Sequence, residues 1–221
     1  MSVDAWRTDP SAIGIGTPRR RPEAAAKVRG DFEYAPDVVE DGMLWGATLR
    51  SPHAHARIVR VDLNAAKAMP GVPAGLGGWD VPDNRYGAID RDTPVLADET
   101  VNYVGEPVAI VAAEDPEIAR RALAAIVVEY EVLDPLVDMM RALDEGHVYR
   151  HVDYTHGDPA VTGDVQVEGV YATPRQDHSY LGLDGGVAKP DGRGGVVITG
   201  ATQWVHSDRA QVAAALGLPP E

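Results

Sequence analysis

The stretch YVGEPVAIVAAEDPEIARRALAAIVVEYEVL, residues Tyr103 to Leu133, carries the clearest structural signal in the chain. Gly105 to Pro107 break it, and Val108 to Ala113 is a continuous apolar run of strand length. Asp115 stands where a helix N-cap belongs, and Pro116 suits the first helical turn. Ile118, Ala122 and Ile126 recur at i, i+4 and i+8 and so share one helical face. Val127 to Leu133 returns to a strand pattern. Strand, helix, strand in this span predicts a βαβ crossover or a split version of it.

On the N-terminal side, Gly42–Ser51 and His55–Leu63 read as strands. Asn64–Met69 reads as a short helix with Asn64 as N-cap and Pro70-Gly71 as its stop. The chain from there to about Leu96 reads as irregular. Residues 1–27, rich in Pro and Gly, read as an extended arm. On the C-terminal side, Arg141–Asp164 is turn-rich and reads as a linker. Val165–Pro174 has the alternation of a strand, and Asp184–Thr199 reads as strand, Gly-rich turn, strand. After Gly200 a short helix is expected to start past Ser207 and to end at Gly217, before Pro219 and Pro220. A strand, a polar turn and one small helix open a domain, so the chain reads as the front part of a larger protein. On that reading Val196, Val197, Ile198, Val212 and Leu216 lack partners within the chain, and association with itself or with a partner subunit is expected. The fold class is α+β, with an arm (1–27), a first domain (28–138), a linker (139–163) and part of a second domain (164–221).

Composition narrows the function classes. The 221 residues are 44% hydrophobic and 24% charged, as in ordinary globular chains. Net charge is −14, and residues 1–30 carry +3, which leaves −17 on the remainder. A chain this acidic is a poor nucleic-acid binder, because phosphate contacts need clustered Lys and Arg. The cluster Arg19-Arg20-Arg21 reads as part of a solvated tail. With no cysteine, disulfides, thiolate zinc sites, cysteine-ligated iron–sulfur clusters and a cysteine nucleophile are excluded within the chain. No apolar run approaches the ~20 residues of a membrane span. No signal peptide is evident, so the expected compartment is the cytoplasm.

Self-contained chemistry is sparse. His53 and His55 at i, i+2 would share a strand face, but no third ligand stands near, so hydrogen-bonded or surface histidines are the simpler reading. His147, His151 and His156 are irregularly spaced loop residues. Asp177-His178-Ser179 lacks the flanking glycines of a nucleophile elbow. The GIGTPR stretch contains a GxG with no strand before it and no clear helix after it. Gln203 is the one candidate. It stands past a strand end, in a loop before a helix, and its amide offers two donors and an acceptor without charge. A Gln that merely braces its loop is the plainer alternative.

Longer stretches go further. GMLWGATLRSPHAHARIVRVDLNAAKAMPGV (Gly42–Val72) and DTPVLADETVNYVGEPVAIVAAEDPEIARRALAAIVVEYEVLDPLVD (Asp92–Asp138) resemble the a/b hammerhead domain of the xanthine dehydrogenase and aldehyde oxidase family. GVYATPRQDHSYLGLDGG (Gly169–Gly186) and ATQWVHSDRAQVAAALGLPPE (Ala201–Glu221) are similar to the start of the first molybdopterin-binding domain of the same family. The resemblance runs from about Gly14 to Glu221 and is nearest to the molybdenum subunit of bacterial xanthine dehydrogenases.

The resemblance implies a molybdenum hydroxylase, which hydroxylates a carbon beside a ring nitrogen, or an aldehyde carbon, with oxygen from water. It implies a molybdopterin–molybdenum cofactor, with 2Fe-2S clusters and FAD on partner subunits passing electrons to NAD. The implied partners are the remainder of the molybdenum subunit, an FAD-binding subunit, a 2Fe-2S subunit and a small heterocyclic or aldehyde substrate. One cofactor-contacting position can be matched: Gln203, the Gln of the family's TQ element, beside the molybdenum centre. The family's Gly-rich loop, substrate arginine and catalytic glutamate match nothing here, so no catalytic residue and no metal ligand is assigned, and the chain alone is expected to be inactive. A non-catalytic assembly module is the alternative. Two departures stand out: Gly182 replaces a Glu common in the family, and the glycines of AGLGGWDVP (Ala74–Pro82) are expected to loosen a strand there.

Overall fold

In the computed structural model the structure describes residues 21–179 and 185–220. These form two compact units, one from the residues up to Glu40 together with 185–201, the other from Asp41 to 179 together with 202–220.

The larger unit holds two three-stranded antiparallel sheets. In the first, β5 (Pro107–Ala113) is central, between β1 (Trp45–Arg50) and β3 (Ala74–Gly77). Trp45 pairs with Ala113 and Leu49 with Ala109, while Ala74 pairs with Ala112 and Gly77 with Ala109. In the second, β2 (Ala56–Asp62) is central, between β4 (Thr100–Val101) and β6 (Val127–Val132). The ten-residue helix α3 (Pro116–Ala125) links the two sheets. Asp115 caps it as the sequence requires, its carboxylate accepting from the Glu117 amide at 2.7 Å and the Ile118 amide at 3.3 Å, with Pro116 at the first position.

The βαβ expectation fails at this point. β5 and β6 lie in different sheets, and both edges of β5 are taken by antiparallel partners. Ile126 turns extended directly after α3, and β6 pairs antiparallel with β2, Val127 opposite Asp62. The local pattern of strand and helix was legible; the partner of each strand was not.

The core has two parts. Leu63, Ala66, Val72, Ala109, Val111, Ala113, Ala119, Ala122 and Ile126 are buried together between α2 (Asn64–Lys67), α3 and the first sheet. Ala56, Ala97, Val101 and Val108 form the second cluster. Val61 and Val128 pack against both and join them. Ala and Val dominate, so the layers sit close, and each fully buried valine contributes about 1.5–3 kcal/mol.

Three local readings are corrected. The helix α2 (Asn64–Lys67) is not capped by Asn64, which is its first residue; the Asp62 carboxylate accepts the Asn64 amide at 2.9 Å instead. The chain expected to be irregular after Pro70 contains β3, and its glycines stand where a side chain would clash. A Cβ on Gly77 would stand 2.4 Å from the Trp79 ring, and one on Gly78 would stand 2.6 Å from the Leu96 carbonyl oxygen. Glycine here admits a close approach that a side chain would block. The linker expected from residue 139 begins with a helix, α4 (Met139–Asp144), because Asp138 caps it through the Arg141 amide at 2.8 Å.

The largest departure is Val165–Pro174. It forms no strand, and no residue from 151 to 179 belongs to a helix or strand. Val165, Val167, Val170 and Tyr171 are 82%, 88%, 100% and 91% exposed. The alternation is present, but among the described residues no strand pairs with it, and an extended segment without a partner leaves its amides and carbonyls to water.

The helix α5 (Val205–Leu216) starts three residues earlier than expected and ends at Gly217, which takes the left-handed conformation with φ 66°. It joins the larger unit: the Gln211 Oε1 accepts the Gly87 amide at 2.8 Å, and Ala215 and Leu216 border a cleft with Pro82.

In the smaller unit, helix α1 (Ala24–Arg29) forms at the end of the expected arm, closed by Gly30 with φ 77°. β7 (Gly186–Pro190) and β8 (Val196–Gly200) make the expected hairpin, with Lys189 ion-paired to Glu40. Asp191 organises the turn by accepting the Arg193 amide at 2.7 Å and the Gly195 amide at 2.8 Å. Val196, Val197 and Ile198 remain exposed, as do Val212 and Leu216 on α5. GIGTPR, Arg19, Arg20 and Gly182 lie outside the described residues.

Candidate functional site

The turn from Thr202 to Asp208 is built by a side-chain brace. Thr202 Oγ1 donates to the Asp208 carboxylate and accepts the Trp204 amide at 3.1 Å, and the Asp208 amide closes on the Trp204 carbonyl at 2.9 Å. This brace starts α5 at Val205. Gln203 lies at the bend within it and is exposed. Among the described residues no side-chain hydrogen bond holds Gln203. The hydrogen bonds of this loop come from Thr202 and Asp208, and the side chain of Gln203 is open to solvent.

That donor set fits an oxygen-rich cofactor. A neutral amide can donate twice, and the first turn of α5 presents backbone amides with no acceptor inside the helix. Asp208 in the same turn disfavours a strongly anionic group close by. Gln203 is thus suited to a neutral hydrogen bond rather than to holding a charge.

Behind this turn, α5 is held by residues that sequence reading missed. Gln211 spans two contacts, accepting from Gly87 and donating from Nε2 to Ser207 Oγ at 2.9 Å. The loop carrying Gly87 is rigidly tied. Asn84 Nδ2 donates to the Leu96 carbonyl at 2.8 Å and Asn84 Oδ1 accepts the Leu96 amide at 3.0 Å. Arg85 donates to both Asp98 oxygens at 3.2 and 3.3 Å, and Tyr86 bridges to Thr93. Burial would raise the Asp98 carboxyl, but the hydrogen bonds from Arg85 and Asn84 and the Arg85 charge outweigh it and hold the group below the usual carboxylate range. The only signal in the sequence was the spacing of Asn, Arg and Asp in an otherwise irregular stretch.

The other sequence candidates resolve into structural roles. His53 precedes β2 and its ring stands edge-on to Tyr130, centroids 4.9 Å apart. Burial pushes the Tyr130 hydroxyl above its ordinary value against the opposing bond with Ser51. His55 Nδ1 meets the Asp134 carbonyl at 3.1 Å. His151 pairs with Asp153 at 3.0 Å, exposed, and His147 lies near Glu145. Asp177 accepts the Ser179 amide at 2.7 Å, a turn contact, and among the described residues no bond joins His178 to Ser179. Among the described residues no group of three His, Asp or Glu is arranged to hold a metal ion. The buried Glu106 accepts the Asn102 amide at 2.5 Å and fixes the loop that enters β5. Among the described residues no helix is long and apolar enough to cross a membrane.

A cleft of about 370 Å³ lies between the outer face of the first sheet and the C-terminal end of α5, lined mainly by Leu76, Val81, Pro82, Ile110 and Leu216 with Arg50 at its edge.

Comparison with known proteins gives two collinear matches. Residues 29–134 match aldehyde oxidase and xanthine dehydrogenase, a/b hammerhead domain, and residues 143–221 match the molybdopterin cofactor-binding domain. The chain is 38% identical over 220 residues to a probable xanthine dehydrogenase subunit of Bacillus subtilis, covering 94% of this chain and 30% of that protein. It is 36% identical over 217 residues to the nicotinate dehydrogenase large molybdopterin subunit of Eubacterium barkeri, covering 93% and 51%. The solved aldehyde oxidoreductase of Desulfovibrio desulfuricans is 27% identical and superposes with a TM-score of 0.75 over 90% of this chain and 25% of that one. The chain thus spans about a third to a half of the length of these two curated relatives. It belongs to the aldehyde oxidase and xanthine dehydrogenase family of molybdenum hydroxylases, and carries that family's hammerhead domain followed by sequence of its molybdopterin cofactor-binding domain.

Proposed function

We propose that this chain serves a xanthine dehydrogenase-like enzyme that hydroxylates a purine or another N-heterocycle with oxygen from water, in the cytoplasm. The observation that supports the substrate class is the pair of relatives at 38% and 36% identity over more than nine-tenths of this chain, both named for dehydrogenases of heterocycles. The aldehyde reading is the second one, favoured by the TM-score of 0.75.

When bound, the molybdopterin–molybdenum cofactor supplies the two-electron oxidation of the substrate carbon. This chain's own part is to hold one side of it. Gln203 would donate an amide hydrogen bond to a cofactor oxygen, Thr202 and Asp208 would fix the turn, and α5 would anchor that turn on the hammerhead domain. We divide the chain into an arm (1–27), the hammerhead domain (28–138), a linker (139–163) and the cofactor-binding part (164–221). Its partners are the remainder of the molybdenum subunit, an FAD-binding subunit and a 2Fe-2S subunit that passes electrons toward NAD. The exposed strip Val165–Tyr171 and the strand β8 are natural places for the remainder of the subunit to add strands.

The test is purification of the native complex containing this chain, assay of molybdenum and pterin, and turnover of xanthine, nicotinate and an aldehyde in ¹⁸O-labelled water. The heterocycles should be turned over with label in the product; turnover of the aldehyde alone would favour the second reading, and a complex without molybdenum would refute both. In the loaded complex, Gln203→Ala should slow turnover by about 10²-fold or less with cofactor content unchanged. An unchanged rate with a lowered melting temperature would return Gln203 to a bracing role.

A further inference from the structure

We propose that Gln211 is a positioning residue for the cofactor-side turn, tying α5 to the 84–98 loop so that the amide of Gln203 stands in a fixed place. The inference rests on the reading of Gln203 given above, but its geometry is independent of it. Gln211 uses both ends of its side chain. Oε1 accepts the Gly87 amide at 2.8 Å, 124 residues away in sequence, and Nε2 donates to Ser207 Oγ at 2.9 Å, one turn back toward the start of the helix. The link therefore runs from the loop, through Gln211, to the first turn of α5, two to four residues from Gln203. At about 1.5 Å per residue, the helix start lies only ~9 Å from Gln211 along the axis.

The loop end of the link is stiff. Tyr86 and Thr93 exchange backbone bonds at 2.8 and 3.1 Å, and Asn84 and Arg85 fasten the flanks to Leu96 and Asp98. Gly87 has to be glycine in this loop, because a Cβ there would stand 1.8 Å from the Asp90 carbonyl oxygen. Near the far end of α5, Ala215 and Leu216 border the same cleft as Val81 and Pro82. The tie at Gln211 is thus the hydrogen-bonded link between this helix and the loop, and its loss should let the start of α5 turn. A glutamine fits this task because one neutral group must accept at one end and donate at the other.

The experiment compares Gln211→Met, Gln211→Glu and the parent in the full 221-residue chain and in the native molybdenum complex. Met keeps the bulk and loses both hydrogen bonds; Glu keeps the acceptor for Gly87 and loses the donor to Ser207. In the isolated chain, amide exchange at Gly87 should rise at least ~10-fold in Gln211→Met, as expected for loss of one hydrogen bond, with much of the protection restored in Gln211→Glu. The backbone and side-chain resonances of Gln203 and the indole of Trp204 should shift and broaden in Gln211→Met. In the complex, kcat should fall in Gln211→Met while KM and cofactor content hold. Loss of protection at Gly87 with the Gln203 and Trp204 resonances unchanged overturns the proposal, as does unaltered exchange at Gly87. Failure of the Gln203 reading shows separately, as a Gln203→Ala complex with full turnover, whatever the resonances of the Gln211 variants do.

Discussion

Two segments of this chain read alike in sequence and end in opposite states. Pro107–Ala113 and Val165–Pro174 both carry closely spaced valines bounded by turn residues. The first is the centre of a sheet, with Val108 and Ala109 fully buried; the second is an extended tract with Val170 fully exposed. Intrinsic preference does not separate them, since valine favours strands in both. The partners do. β5 is flanked by β1 and β3 and covered by α3, all drawn from the chain between Trp45 and Ala125. Nothing among the described residues plays those parts for Val165–Pro174. An apolar pattern therefore announces that burial is wanted, and the sheet forms only where the chain supplies the neighbour.

The sharpest way to break this comparison is one substitution made in both segments. Val108→Asp places a carboxylate where no solvent reaches, and should cost about 4 kcal/mol or more, enough to unfold the hammerhead domain. Val170→Asp should change stability by less than about 0.5 kcal/mol. Urea unfolding of both variants, followed by circular dichroism, measures the contrast. Comparable losses would mean that Val170 is packed in solution, and that the two segments do not differ as described.

Smaller effects sharpen the account of the hammerhead domain. Gly78→Ala should cost about 1–3 kcal/mol, because the added carbon meets the Leu96 carbonyl and the Asp98 side chain in a well-packed place. If glycine merely loosened this stretch, the alanine would stabilise it, so the sign of the change in urea midpoint decides. Asp115→Ala should cost about 1 kcal/mol by removing the α3 cap, and Asp115→Asn should recover most of it.

The same contrast explains what was legible in the sequence. The cap and first turn of α3, its buried face and the flanking strands were readable because they rest on neighbours within a few residues. The β7–β8 hairpin was readable for the same reason, with Asp191 and the glycines of its turn deciding it locally. β3 was not, since AGLGG looks like loop until Trp79 and the Leu96 carbonyl are brought against it. The separation of β5 and β6 into two sheets was not, because it depends on β1 and β2, some sixty residues upstream. At the candidate site, Gln203 was legible from its loop between a strand end and a helix, and a family resemblance matched it to the cofactor; the bracing of that loop by Thr202 and Asp208 needed coordinates. Gln211 gave no signal at all, since its partner is 124 residues away.

The smallest expected effect concerns pH, and compares the carboxylates of the two units. Asp98 and Asp191 both stand below the ordinary range, for different reasons. Asp98 is partly buried, which opposes ionisation, and it is held charged by Arg85 and Asn84. Asp191 is held by the backbone amides of Arg193 and Gly195, with a weak opposing contribution from burial. In each case the folded value lies below the unfolded one of about 4. The stabilisation is therefore complete above that value and is lost as pH falls through the depressed folded value, so nothing should change between pH 7 and 5. Below pH 4 the two should part. Protonated Asp98 leaves Arg85 without its counter-charge and loosens the loop that carries Gly87, and 0.5 M salt should weaken the same pair at neutral pH. The Asp191 turn depends on dipoles of neutral amides and should respond to acid but hardly to salt. Amide shifts of Leu96 and Arg193, followed from pH 6 to 2 at low and high salt, test both claims. A salt effect on Arg193 as large as that on Leu96, or a transition centred above pH 4 at either site, would contradict this assignment of causes.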